Sequence, residues 1–332
     1  MTDTGQKSGR GHHLATVLRF FVSFGAIAVI VYMFRAQLPA VISNLGKTDP
    51  FYFLAAVFIY FFGLIFTAVR LQLVLRAHAF RLPFLDAYYV NIIALFFNNI
   101  LPSSMGGEMV KAYYLYRSTN GRVTALSAVV IDRLFGLAVL TLMGAAAVFL
   151  VGPVQVSSKI LISLATIGGV TGCVAFFIFN GKVVEYLCRL HVPLLPGVLL
   201  DKLRETYQAM HQYRDHKEIM ASCLLLTAVG QTSYVFVNFL LSRSLLLDIP
   251  LSFFFFFIPI LLVMALAPSV NGIGVREAIF LFYLAEFATP DKALALSLLT
   301  TFFMVLMGLL AGIVYAFKGG LQSAPENDAP LS

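Results

Sequence analysis

Charge is what this sequence has least of. Only 12% of its 332 residues are Asp, Glu, Lys or Arg, while 60% are hydrophobic and the mean hydropathy is +0.88. A soluble globular chain is about half apolar and roughly a quarter charged, so this one has too little charge to cover a water-facing surface. Tryptophan is absent, and an interfacial aromatic belt must use Tyr and Phe, such as Tyr113, Tyr114 and Tyr116. The three cysteines, Cys173, Cys188 and Cys223, form no CxxC and no metal-ligand spacing, and they read as apolar filler. His191, His211 and His216 likewise lack metal spacing. There is no HExxH, no Asp-rich metal motif and no ATP-binding loop, and Gly272 and Gly274 lack the third glycine and the strand of a dinucleotide fingerprint. Neither a cofactor nor a metal is expected. The net charge of +7 is spread over short loops between apolar runs, which points to membrane orientation and away from nucleic acid.

Long apolar runs are present instead, over 14–34, 51–69, 84–101, 123–151, 160–179, 219–247, 251–267, 278–288 and 293–317. Several pass the roughly 18 residues that mark a membrane span. Lys7, Arg10 and Arg19 precede the first run, as in a signal peptide. The run is bulky with Phe and no small-x-small site follows it, so an uncleaved first span is expected.

Two runs end in a break. Pro102 and Pro268 lie half the chain apart, and each is followed by glycine. Proline removes a helix donor, and glycine tolerates open backbone. Both breaks read P-S-x-x-G, through Pro102 to Gly106 and Pro268 to Gly272, and both lead through a further glycine (Gly107, Gly274) to a glutamate, Glu108 or Glu277, and a new apolar helix. This predicts an internal repeat with one interrupted segment per half. Irregular backbone at membrane depth survives only inside protein or beside a polar cavity.

The fold class expected is an all-α polytopic membrane protein: six full transmembrane helices plus two re-entrant broken-helix hairpins, about eight hydrophobic segments. The domain plan has a cytoplasmic N-terminal tail over 1–13 and a transmembrane domain over 14–317. The halves run over about 14–151 and 160–317, with a basic cytoplasmic loop at 180–217 and a disordered cytoplasmic tail at 318–332. With the N-terminus inside, the inner segments, Arg70 included, hold fifteen of the 23 Lys and Arg, the outer segments five, and membrane segments hold Lys111, Arg133 and Arg276. Three full spans per half make the halves inverted, a recurring transporter architecture. Ser118 is expected to be cytoplasmic and Thr289 external.

The candidate site follows from charge placed in apolar runs. Asp132 and Arg133 lie about ten residues into their span, roughly 15 Å deep at about 1.5 Å per residue. A charge there costs about 2.5 kcal/mol or more unless paired or hydrated. Their pattern fits either an ion pair locking helices or a functional site. Arg276 and Glu277 open the return helix of the second hairpin. Glu108 and Lys111 open that of the first and share a helix face at i and i+3. Helix N-termini with arginine make an anion site, and the glutamates also suit capping. Asn98, Asn99, Ser103, Ser104 and Asn271 can satisfy backbone freed by the prolines, with Asn271 the best placed of them to touch a ligand. Gln231 and Asn238 read as interhelical glue, and Phe253–Phe257 as lipid-facing or packed apolar surface.

The run from Asn98 to Glu108, the mid-span Asp132-Arg133 and the segment from Pro268 to Glu277 resemble the transmembrane region of lysylphosphatidylglycerol synthases, a family also described as flippase-like. The resemblance covers about residues 15–317. That family commonly shows Glu-Arg where this chain has Asp132-Arg133. The resemblance implies a lipid-moving module without the separate soluble domain that transfers the aminoacyl group. It also allows membership linked to hopanoid, glycolipid or prenyl-linked sugar pathways. The expected function is a flippase-like transporter of a phosphate-bearing or isoprenoid-type lipid in a bacterial inner membrane, with both termini cytoplasmic and no enzymatic step. The alternatives are a non-catalytic membrane partner of a lipid or glycolipid biosynthesis enzyme, and a membrane lipid transferase. The expected partners are membrane lipids and such an enzyme; the sequence does not set the oligomeric state.

Overall fold

A computed structural model describes residues 32, 46, 48–77, 80–100, 106–119, 121–151, 157–179, 217–264 and 275–318. The expected first span apart from Tyr32, the loop over 180–216, the C-terminal tail beyond Lys318, and Pro102, Pro268, Asn271, Gly272 and Gly274 lie outside the described residues. Nine helices and no strand occur among the described residues: α1 (Pro50–Arg76), α2 (Phe84–Ile100), α3 (Gly106–Thr119), α4 (Arg122–Val151), α5 (Ser158–Phe179), α6 (Lys217–Ser244), α7 (Leu251–Met264), α8 (Val275–Leu284) and α9 (Pro290–Lys318).

Four of them, α1, α4, α6 and α9, are long and apolar enough to cross a membrane. At 27 to 30 residues and about 1.5 Å per residue they span roughly 40–45 Å. By contrast α3 and α7 have 14 residues and α8 has 10, short of the roughly 20 needed to cross. The expected span 51–69 is too short: α1 continues to Arg76. It starts with Pro50 in the first turn, where the missing N–H costs nothing, and the Asp49 carboxylate caps Phe51 N at 2.8 Å.

Most of the packing is between helices distant in sequence. The most extensive interface is α1 on α6, where small residues allow close approach: a Cβ added at Gly63 would meet Ser233 Cβ at 3.0 Å. Further contacts join α1 to α2 and α4, α2 to α3 and α9, α3 to α4, α4 to α5, α6 and α7, α5 to α7, α6 to α7 and α9, α7 to α8, and α8 to α9. Rings link α1 to α9, with Phe53 and Tyr60 edge-on to Phe303 at 5.8 and 5.6 Å.

The first hairpin is fastened across its break. Asn98 Oδ1 accepts from Gly107 N at 2.8 Å, so an asparagine does satisfy backbone freed near the proline. Any Cβ at Gly107 would overlap Ala94 O and the Asn98 side chain; only glycine lets α3 return this close to α2. Asn99 Nδ2 donates to Leu95 O at 3.0 Å and lies over Gly308 of α9. The phenylalanine run of α7 is packed: Phe253, Phe254, Phe256 and Phe257 are buried in the core with Phe280 and Phe303.

Candidate functional site

Four ionisable side chains from α3 and α4 meet in two pairs. Lys111 Nζ lies 2.8 Å from Asp132 Oδ2, and Arg133 Nη2 lies 3.1 Å from Glu108 Oε1. The i, i+3 spacing on α3 sets Glu108 and Lys111 one turn apart, and adjacent positions on α4 receive them. The glutamate and lysine that share a helix face therefore pair across to α4. Arg70, from α1, completes the cluster with its Nε 2.7 Å from Asp132 Oδ1, and its Nη1 donates to Thr227 Oγ1 of α6 at 2.9 Å.

This corrects the placement of Arg70. Counted with the inner-loop cations from sequence, it is a buried partner of Asp132, which leaves fourteen inner cations. One carboxylate thus holds two cations, an arrangement that offsets their desolvation inside a low-dielectric interior.

The two pairs differ in exposure. Lys111 and Asp132 side chains are 2% and 5% exposed, whereas Arg133 and Glu108 are 37% and 17%. Asp132 therefore locks α1, α3 and α4 together, and Arg133 and Glu108 face open space. That space is a cavity of about 390 Å³ whose walls include Arg133, Glu108, Arg70 and Asp132, with Tyr60, Gln231 and Tyr234 opposite and Leu262 and Met304 from α7 and α9. A second cavity of about 200 Å³ runs along the α1–α6 crossing and shares Tyr60, Arg70, Gln231 and Tyr234 with the first. At the first cavity, Arg133 Nε and Glu108 Oε2 are buried and find no hydrogen-bond partner among the described residues.

The remaining candidates lie elsewhere. Arg276, second residue of α8, donates from Nη1 to Thr301 Oγ1 of α9 at 3.2 Å. Its Nε is buried without a hydrogen-bond partner among the described residues. Glu277 is half-buried in the first turn of α8. At the start of α3, Gly106 and Gly107 are buried and the Gly107 N–H is taken by Asn98, which leaves that N–H closed to a ligand. Among the described residues no group of His, Cys, Asp or Glu could hold a metal ion.

Sequence reasoning missed Arg70, Tyr60, Thr227 and Tyr234, and read Gln231 as glue. Arg70 had a signal: the apolar pattern runs on for five residues beyond it, as Leu71, Leu73, Val74 and Leu75.

The family model described as the lysylphosphatidylglycerol synthase TM region matches residues 16–312. The chain belongs to that family. No curated protein matches it. It is thus a multi-pass membrane protein of a lysylphosphatidylglycerol synthase-related, lipid-linked family, and the walls of its charged cavity include residues from all four helices long and apolar enough to cross a membrane.

Proposed function

We propose that this protein moves a phosphate-bearing or isoprenoid-type lipid between the leaflets of a bacterial inner membrane, with no covalent step. One observation carries it: a charged cavity, with a part-exposed Arg133 on its wall, is lined by apolar membrane helices from both halves of the chain. Arginine's planar fork suits phosphate, and a polar cavity at membrane depth marks a substrate path more often than a scaffold.

The helix contacts support alternating access by two related halves. If α1, α2, α3 and α4 correspond to α6, α7, α8 and α9, every contact within one set has its counterpart in the other. The cross-contacts correspond too: α2 on α9 with α7 on α4, and α4 on α6 with the α1–α9 ring pairs. The α1–α6 interface maps onto itself, as an interface on a two-fold axis must. Positions agree as well. Glu108 and Glu277 are each third in their helix, and Arg133 and Thr301, the partners met by Glu108 and Arg276, are each twelfth in theirs. Two short helices per half, each entering and leaving on one side, and inverted halves that rock about the α1–α6 interface complete the arrangement. The excess of inner-segment cations supports cytoplasmic termini.

Reconstitution tests it. In proteoliposomes, Arg133→Gln slows movement of a fluorescent phospholipid about tenfold or more, the loss expected when one charged hydrogen bond of about 1.5–3 kcal/mol is removed, while the detergent melting curve is retained. An unchanged rate refutes the assignment of Arg133. A wild type that moves no lipid but co-purifies with a lipid-synthesis enzyme favours the partner role instead.

A further inference from the structure

The charges around the cavity do not cancel. Among the described residues, Arg70, Lys111 and Arg133 form ion pairs with only two carboxylates, Asp132 and Glu108. The surplus sits among apolar helices, where an uncompensated charge is costly. It is also within reach of a ligand, because the Arg133 side chain on the cavity wall is 37% exposed. A single negative charge neutralises it. A zwitterionic headgroup leaves it standing, and a net positive headgroup doubles it.

The other walls add neutral chemistry. Tyr60, Gln231 and Tyr234 line the same space, and their hydroxyl and amide groups both donate and accept hydrogen bonds. They suit an uncharged, hydroxylated group beside the phosphate. The volume of about 390 Å³ lies near the lower end of the roughly 300–1,000 Å³ of ligand pockets, which leaves room for a headgroup while the acyl chains stay in lipid.

We infer that the cavity selects lipids whose headgroup carries one phosphodiester charge and neutral hydroxyls, and disfavours headgroups that bear an amine. The inference rests on the cavity being the headgroup site of the proposed transporter. It sets this chain apart from the lysylated lipid of its family's name, whose headgroup is net positive.

Native mass spectrometry of the purified protein tests this with equimolar dioleoyl phosphatidylglycerol, phosphatidylethanolamine and lysylphosphatidylglycerol. Phosphatidylglycerol is retained about tenfold over phosphatidylethanolamine, the ratio a single screened charge contact supports, and lysylphosphatidylglycerol is retained least. Equal retention, or preference for either amine-bearing lipid, overturns the inference. Glycerophosphoglycerol, the same headgroup without acyl chains, displaces none of the bound lipid at equal concentration; displacement would assign the site to a soluble anion. Lys111→Met leaves Asp132 paired with Arg70 and removes the surplus, so the preference falls to within about threefold, while Lys111→Arg keeps it. A Lys111→Met protein with wild-type selectivity also overturns the inference, and the wild-type lipid series decides even where a variant does not fold. Binding and movement fail separately. Charge-selective retention without transport refutes the transporter and leaves this inference standing; transport indifferent to headgroup charge does the reverse.

Discussion

Asp132→Ala destabilises the folded protein by about 3–5 kcal/mol, the cost of stranding buried charges by removing their partner. Asp132 is the only carboxylate within ion-pair distance of both Arg70 and Lys111 among the described residues, at 2.7 and 2.8 Å. Its loss strands two cations at the junction of α1, α3 and α4. Thermal unfolding in detergent shows a large drop in melting temperature or no monodisperse protein. Asp132→Glu, which keeps the charge on a longer arm, loses much less. A triple variant, Arg70→Leu with Lys111→Met and Asp132→Leu, recovers much of the stability because no charge is left uncompensated. A stable Asp132→Ala protein would show that water or lipid already neutralises these cations, and the cluster would lose its structural role.

Arg276→Ala abolishes transport, about a hundredfold loss or more, with little loss of stability. Its one described hydrogen bond, to Thr301 at 3.2 Å, is long for a charged pair and worth about 1.5 kcal/mol, so the fold survives. Function is affected far more if the two halves take turns holding the headgroup. Arg276 is then the cation of the second half, placed against the twelfth residue of α9 as Glu108 is against the twelfth of α4. Thr301→Val removes the hydrogen-bond partner and keeps the charge, and slows transport no more than about tenfold if that bond is all that is lost. Proteoliposome transport beside a melting curve separates the two effects. A fully active Arg276→Ala protein would confine the headgroup to the Arg133 end.

Helix existence was legible in the sequence because hydropathy and the proline breaks report on single segments. The four long spans, the short helices flanking each break and the placement of Glu108, Lys111, Asp132 and Arg133 on α3 and α4 all follow from local pattern. Three features did not. Ending a span at its first cation excluded Arg70, because hydropathy prices a buried arginine as if it were alone, whereas Asp132 pairs with it. Tyr60, Gln231 and Tyr234 gain their role only where α1 crosses α6, and that contact joins segments more than 150 positions apart, as in the Arg70–Thr227 bond. The phenylalanines of α7 are equally apolar whether they meet lipid or protein, so composition left both open and packing resolved them as core.

The most direct test of lipid movement is a leaflet-accessibility assay on the reconstituted wild-type protein. Proteoliposomes carry a fluorescent phosphatidylglycerol in both leaflets, and a membrane-impermeant quencher is added outside. The account predicts that the inner-leaflet pool becomes quenchable over time, at a rate that rises with protein density. An inner pool as protected as in protein-free vesicles would contradict it.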